Sequence, residues 1–257
     1  MAKQRLDKLL VDRGLAQSRE RAQALVLAGR VLVNEQRVDK PGAGVQEDAA
    51  LRLLGDDLRY VGRGGLKLEG ALTAWGISVA GHACADIGAS TGGFTDCLLQ
   101  NGAASVLAVD TGYGQMAHKL RVDPRVTLLE RTNARLLTPG QLVSLSPHLV
   151  HFFAMDASFI SATLVLPPVL AALAPAANQG ASTWQGEAVI LVKPQFEAGR
   201  EHVGKGGIVR SEEAQQSALR RVEECVRETG GAVLRTMDSP ILGMEGNREF
   251  LLHARWG

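Results

Sequence analysis

This chain of 257 residues has no paired cysteines. Cys84, Cys97 and Cys225 are odd in number and scattered, without a C-x-x-C spacing. That excludes a disulfide scaffold or a cysteine-rich zinc site, and predicts reduced, mostly buried thiols in a cytoplasmic protein. Its six histidines are equally dispersed, so no metal-ligand spacing exists and no metal is expected. No apolar run reaches the length of a membrane span. The longest, residues 164–177, is interrupted by Pro167, Pro168 and Pro175 and reads as a broken surface or core helix. The start, Met1-Ala-Lys-Gln-Arg5, leads straight into a charged amphipathic pattern, so no signal peptide is expected. Internal repeats and low-complexity segments are absent as well.

A hydrophobic content of 46% is ample for a core, and the length suits one large domain plus a small one. The net charge of +1 hides an asymmetry. Residues 1–40 hold nine Lys/Arg against five Asp/Glu, whereas the remainder holds 19 against 22. Two readings fit this basic start: a nucleic-acid-binding appendage, or a solvated helix face.

Leu6, Leu9 and Leu10 fall on one helical stripe that Gly14 should stop. Ser18 is placed to cap a helix over 19–28 with Ala22, Leu25 and Val26 inward. Residues 31–38 read as a hairpin turning at 34–36, followed by a strand near 50–54 and a polar, glycine-rich connection over 55–65. From Leu66 onward, strands alternate with helices, which predicts a parallel α/β sheet. Strands are expected near 83–87, 105–110, 126–131, 148–155, 187–193, 232–237 and 248–255. Helices are expected near 66–75, 92–101, 139–145, 161–176 and 211–229.

The run Asp86-Ile-Gly-Ala-Ser-Thr-Gly-Gly-Phe-Thr95 follows the first of these strands and opens a helix. Gly88, Gly92 and Gly93 permit tight turning and close backbone approach to a ligand. The next strand ends in Asp110, placed to accept hydrogen bonds from ribose hydroxyls. The glycine spacing is not the G-x-G-x-x-G of a dinucleotide site. A carboxylate at Asp86 would repel a pyrophosphate but suits a cationic nucleoside cofactor such as S-adenosylmethionine.

Ligands of open α/β sheets bind beyond the carboxyl ends of the strands, which singles out Asp156 and Lys193. Lys193 follows four aliphatic residues, and a buried ammonium is costly unless paired or functional. Lys67 lies just before the cofactor half, and Glu249 sits where the last strand begins. The segment Gly199-Arg-Glu-His-Val-Gly-Lys-Gly206 nearly matches a phosphate loop, but lacks the Ser/Thr after lysine and precedes no helix; a mobile loop near RNA fits better. His118, His148, His151, His202 and His253 read as structural residues, and Trp75 and Trp184 as core or edge residues; stacking on a base is unsupported for Tyr113 or Phe196.

Five ordered motifs, Arg63-Gly-Gly-Leu-Lys67, residues 86–95, Asp156-Ala-Ser-Phe-Ile-Ser161, Lys193-Pro-Gln-Phe-Glu197 and Gly246-Asn-Arg-Glu249, resemble the TlyA family over nearly the whole chain. Residues 5–38, with Arg19-Glu-Arg-Ala-Gln and Gly29-Arg-Val-Leu-Val-Asn, resemble an S4 RNA-binding domain. Ala157 and Met244-Glu245 depart from the family pattern at non-catalytic positions. The resemblance implies an S4-like α+β domain over 1–58, a linker over 59–65 and an FtsJ-like methyltransferase domain over 66–257. That second domain would be Rossmann-like, with a seven-stranded, mostly parallel sheet.

The implied activity is 2′-O-methylation of a ribose, with cytidine as the nucleoside, in ribosomal RNA or ribosomal subunits, with S-adenosylmethionine as donor. The implied tetrad is Lys67, Asp156, Lys193 and Glu249. Lys193 would be the base, helped to shed its proton by the like charge of Lys67, with the two carboxylates orienting the amines. The cofactor would meet Asp86, Gly88, Ser90, Thr91, Gly92, Gly93 and Phe94, with Asp110 at its ribose and Asn133 near its adenine. RNA would meet Arg5, Lys8, Arg19, Arg21 and Arg30. The alternative is an RNA-binding or ribosome-assembly factor that keeps the fold without turnover; an intact tetrad and glycine loop count against it. A haemolysin label attached to the family has no support in a spanning helix, barrel alternation or secretion signal.

Overall fold

The computed structural model describes residues 3–16, 18–54, 59–146, 148–174, 183–243 and 246–257. Residues 175–177 of the long apolar stretch, 55–58 of the glycine-rich connection and Met244-Glu245 lie outside these. The chain divides into two compact units, residues 1–59 and 60–257.

The first unit runs β1 (Lys3–Arg5), α1 (Leu6–Asp12), α2 (Arg19–Leu27), β2 (Val31–Val33), β3 (Gln36–Arg37), β4 (Gly44–Gln46) and β5 (Leu51–Leu53). Ser18 caps α2 by accepting from the Arg21 amide. The β2–β3 turn places Asn34 and Glu35 at φ 49° and 63°, the left-handed pair that a two-residue hairpin requires. Leu6, Leu10, Ala22, Val26 and Val31 are fully buried and form its core. Each such leucine contributes about 1.5–3 kcal/mol by leaving water. The short strands β1 and β4 pair with each other; three residues each, they carry too little alternation to be read from sequence.

The second unit contains α3 (Gly64–Trp75), β6 (Ala83–Ile87), α4 (Gly93–Gln100), β7 (Ser105–Val109), α5 (His118–Arg121), β8 (Val126–Leu129), β9 (Val150–Met155) and α6 (Ala162–Leu173). It continues with β10 (Gly186–Val192), α7 (Pro194–Glu197), α8 (Glu212–Glu228), β11 (Ala232–Asp238) and β12 (Phe250–Trp256). One seven-stranded sheet has the order β11-β12-β10-β9-β6-β7-β8. Only β12 runs against its neighbours; the other pairings, from β10 across to β8, are parallel. Central strands such as Ala188-Val-Ile-Leu-Val192 are apolar on both faces because helices cover both. One apolar layer packs α6 and α8 residues against the sheet, and the other packs α3 and α4 residues. Chain direction across the sheet reverses between β6 and β9, which opens a crevice beyond their carboxyl ends.

Two expectations are corrected. The helix expected over 139–145 is only a single 3₁₀ turn, Val143–Leu145. Gly140 takes φ 71°, and the Gly140 and Leu142 amides donate to Ala171 and Ala172 carbonyls of α6 rather than to their own turn. Conversely, α6 runs unbroken through Pro167 and Pro168. Proline at 167 leaves the Thr163 carbonyl without its helical donor, and the Cys225 thiol donates to that oxygen at 3.7 Å. All three cysteines are buried and free. Tyr60, in the segment read as a linker, is buried in the α3–α4 layer.

Candidate active site

Each strand that ends at the crevice hands its next residues to the site. After β6, Gly88 turns at φ 90° and Gly92 at φ 94°. A Cβ on Gly88 would lie 2.4 Å from the Asp156 carbonyl oxygen, and one on Gly92 would lie 2.3 Å from Leu120 Cδ1. Only glycine fits at either place. Gly93 opens α4 and packs on the backbone of Gly62, Gly64 and Gly65; Phe94 is buried beneath the loop, whereas Thr91 is exposed.

Asp86 is fully buried. Its Oδ2 accepts from the Thr95 amide at 2.8 Å and the Thr95 hydroxyl at 2.6 Å, whereas Oδ1 has no partner among the described residues. Burial, against the Thr95 hydrogen bonds but with the charges of Asp156 and Asp110, pushes its carboxyl up to about 7. Asp110 anchors the loop from the next strand: its carboxylate accepts from the Ser90 amide at 2.8 Å and the Gly112 amide at 2.6 Å. Ser90 is thereby held at φ 49°. Asn133 is exposed and caps a 3₁₀ turn by accepting from the Arg135 amide at 3.0 Å.

The four tetrad positions share the carboxyl edge of the sheet as two ion pairs. Lys67 Nζ, from α3, lies 2.5 Å from Glu249 Oε2. Lys193 Nζ pairs with Asp156 Oδ1 and donates to Ser158 Oγ at 2.6 Å. Val192 lies opposite Phe250, so Lys193 and Glu249 leave adjacent strands together. The two lysines are each 8% exposed and Glu249 is 3% exposed, so neither ammonium is free to wander into solvent. Gly64, at the start of α3, has room for a Cβ 3.8 Å from Asp156 Oδ2, which brings the α3 end of the site up to the second pair.

Sequence reasoning missed several neighbours. Ser158 shares the Lys193 ammonium, and Glu197 is buried beneath. Phe159 is 92% exposed at φ 64°, with its ring 5.4 Å from that of Phe196. Such an exposed aromatic on a strained backbone sits inside the quoted Asp156–Ser161 motif, and no spacing rule reveals it. The near-phosphate loop forms two 3₁₀ turns, Arg200–His202 and Lys205–Gly207, pinned by the Asn247 amide to Val209 and Gly207. His253 pairs with Glu187 and stacks on Trp75, and the Trp184 indole donates to the Val150 carbonyl. A cavity of about 900 Å³ lined by Trp75, His151, Glu187 and Arg255 lies at the amino ends of the strands and contains none of the candidate residues.

In the first unit, fully buried Asp7 gathers two of the basic residues: it accepts from Arg5 Nε at 3.0 Å, from Arg19 Nη2 at 3.2 Å and from Gln23 at 2.9 Å. The Arg5 guanidinium, first of several donors, holds the Asp7 carboxyl well below the usual carboxylate range. Both arginine side chains remain more than half exposed, at 55% and 53%. Lys8 is exposed, Arg21 is half-buried, and Arg30 donates to the Leu54 carbonyl.

Residues 60–256 match the family of FtsJ-like methyltransferases and residues 4–51 match the S4 domain. The chain is 43% identical to the 16S/23S rRNA (cytidine-2′-O)-methyltransferase TlyA of Mycobacterium tuberculosis, covering 98% of this chain and 89% of that one. It is 48% identical to YqxC of Bacillus subtilis, described as a candidate rRNA methyltransferase, covering 99% and 86%. A solved structure from Streptococcus thermophilus, described as a candidate hemolysin, aligns at TM-score 0.72 and 44% identity, covering 100% of this chain and 89% of that one. Among the described residues, no helix is long and apolar enough to cross a membrane. With a seven-stranded methyltransferase sheet, a glycine loop under a buried acid and an S4 unit ahead of them, the chain belongs to the TlyA family.

Proposed function

We propose that this protein transfers a methyl group to the ribose 2′-hydroxyl of a cytidine in ribosomal RNA. Residues 1–58 would dock the RNA and residues 66–257 carry out the chemistry. The observation that carries the reading is the pair of lysine–carboxylate bridges with buried ammonium groups, beside a glycine loop whose buried acid has one oxygen unpartnered among the described residues. Three carboxylates around that loop, Asp86, Asp110 and Asp156, disfavour a pyrophosphate and fit the sulfonium of S-adenosylmethionine. When bound, S-adenosylmethionine supplies an electrophilic methyl. Asp86 and Asp110 shape the loop that would hold it, and Asn133 is the candidate for its adenine.

A ribose hydroxyl is a weak nucleophile until its proton leaves. Once the Lys193 ammonium has released a proton to solvent, its neutral amine receives the hydroxyl proton, and Asp156 and Ser158 fix the position of Nζ. Lys67, held by Glu249, supplies a second positive charge that stabilises oxygen as negative charge develops there. Ribosomal RNA or ribosomal subunits in the cytoplasm are the proposed partners. The test is transfer of labelled methyl from S-adenosylmethionine to ribosomal subunits that lack the modification, with the labelled nucleotide mapped. Label on a base rather than a ribose, or cofactor binding without transfer to any ribosomal RNA, would overturn the reading.

Cofactor affinity should depend on pH through Asp86. Its carboxyl carries a proton below about 7, and a cationic ligand prefers the ionised form. Affinity should therefore rise about tenfold per pH unit toward neutrality and level off above it. Calorimetric titrations of wild type and Asp86→Asn across pH 5.5–8.5 check this; equal slopes for the two proteins would remove Asp86 from the site.

For the first unit, Arg5 and Arg19 are held on one carboxylate with donors still facing solvent. Arg19→Ala is expected to weaken ribosomal RNA binding and to flatten the slope of log affinity against log salt by about 1. An unchanged slope would mean that this guanidinium meets no phosphate.

A further inference from the structure

We propose that Glu197 is a positioning residue for the Lys193–Asp156 pair, a role that rests on the reading of Lys193 as the base. Glu197 is 3% exposed and ends the short helix α7, four residues beyond Lys193. Its carboxylate reaches across to the other loop of the site. Oε1 accepts from the Ala162 amide at 2.6 Å and Oε2 from the Ser161 hydroxyl at 2.5 Å. Ser161 ends the loop that Asp156 begins, and itself caps α6.

Two segments, 156–161 and 193–197, are thus joined rung by rung. Asp156 and Ser158 hold the Lys193 ammonium at one end. Phe159 packs on Phe196 in the middle, and Ser161 with Ala162 meets Glu197 at the far end. The 156–161 segment belongs to no helix or strand and passes through a left-handed residue at Phe159. Its first residue is tied to β6 by the Asp156 amide, which donates to the Ile87 carbonyl at 2.8 Å. Its last is tied by Glu197. With both ends fixed, the Asp156 carboxylate has a defined place relative to Lys193.

Glu197 is held from behind as well, since its own carbonyl accepts from Arg221 of α8 at 2.5 Å. A buried carboxylate with two donors and no ion-pair partner in the described structure is an expensive way to cap a helix. Burial does push its carboxyl up. A serine already caps α6, so a cap alone does not account for it. The anionic acceptor does what the cap cannot: it takes both donors of one loop from a side chain anchored on the other, and partly repays its burial at the positive end of α6.

Glu197→Gln keeps the volume but offers one acceptor oxygen for two donors. The expected result is a fall in kcat of roughly tenfold to a hundredfold, the scale of a slight misplacement of a catalytic group. The Kd for S-adenosylmethionine should stay within about twofold, because the Glu197 carboxylate accepts from Ser161 and Ala162, outside the cofactor loop. Glu197→Asp, which keeps the charge, should recover part of kcat. Wild-type kcat in Glu197→Gln, with only the melting temperature lowered, would reduce Glu197 to a structural cap and overturn the inference. Lys193→Ala is assayed alongside: if it turns over like wild type, the role of Lys193 fails and that of Glu197 with it. An inactive Lys193→Ala beside an unaltered Glu197→Gln overturns the Glu197 inference alone.

Discussion

Lys193→Ala is expected to lower methyl transfer by about 10²–10⁴-fold, the usual range for loss of a positioned general base, while S-adenosylmethionine still binds. The amine is buried to 8% exposure, yet its carboxylate partner, Asp156, keeps 21% of its side-chain surface in solvent. Removing the lysine therefore leaves a partly hydrated anion rather than a dry one, and the fold should survive. Lys67→Ala is the less informative variant, since it would strand Glu249 with 2% side-chain exposure. Breaking a buried pair in that way costs about 3–5 kcal/mol and confounds activity with stability. Lys193→Arg sharpens the test: it restores the charge and some of the pairing, but a guanidinium does not give up its proton near neutral pH. Single-turnover transfer to ribosomal subunits, with cofactor Kd measured separately, checks all three. Activity in Lys193→Arg within a few-fold of wild type would show that charge alone suffices and would remove the base from the mechanism.

Gly88→Ala should abolish cofactor binding and turnover together. The added Cβ meets the Asp156 carbonyl oxygen at 2.4 Å, and the backbone stands at φ 90°. The left-handed strain costs about 1–2 kcal/mol and the overlap about 1–3 kcal/mol more. Neither can be relieved by a side-chain rotation, because the obstacle is backbone. The loop must move off Asp156, and the Asp156 amide hydrogen-bonds to Ile87 just ahead of Gly88, so the tetrad moves with it. The melting temperature should fall by roughly 5–15 °C for a unit of this size. Gly114→Ala is the matched control: it has φ 70° but no atom within 4 Å of the new Cβ. Thermal melts and cofactor titrations on both proteins separate strain from collision; equal losses at the two positions would refute a specific role for the Gly88–Asp156 contact.

How much of this was legible beforehand depended on whether a residue's role is local. Strands β6 and β10 were readable because their apolar runs end abruptly in Asp86-Ile87 and Lys193, and Ser18 announced the helix that it caps. The partners of the candidate residues were not readable. Ser158, Glu197 and Asp7 act on groups brought near by the fold, and nothing in spacing distinguishes Glu197 from a solvated glutamate. Residues 139–145 misled for a related reason: the Gly140 and Leu142 amides are taken by the end of α6, so no continuous helix forms there. Pro167 misled in the opposite direction, because a thiol from α8 compensates the orphaned carbonyl. That Lys67 and Glu249, 182 positions apart, belong to one tetrad was implied by family resemblance and by no local signal; which carboxylate takes which amine was not read beforehand.

That separation also governs when activity can first exist. Strand β12 is not added at the margin of the sheet; it slides between β10 and β11, which come before it in the chain. Until it does, β10 presents a long apolar edge with open backbone donors and acceptors, a surface prone to pairing with other chains. Glu249 arrives with the same movement, so Lys67 has no counter-charge in any intermediate that lacks β12. Such distant closures are slow. Catalytic competence therefore requires β12 in place: a molecule without it would have an open β10 edge and no Glu249 beside Lys67.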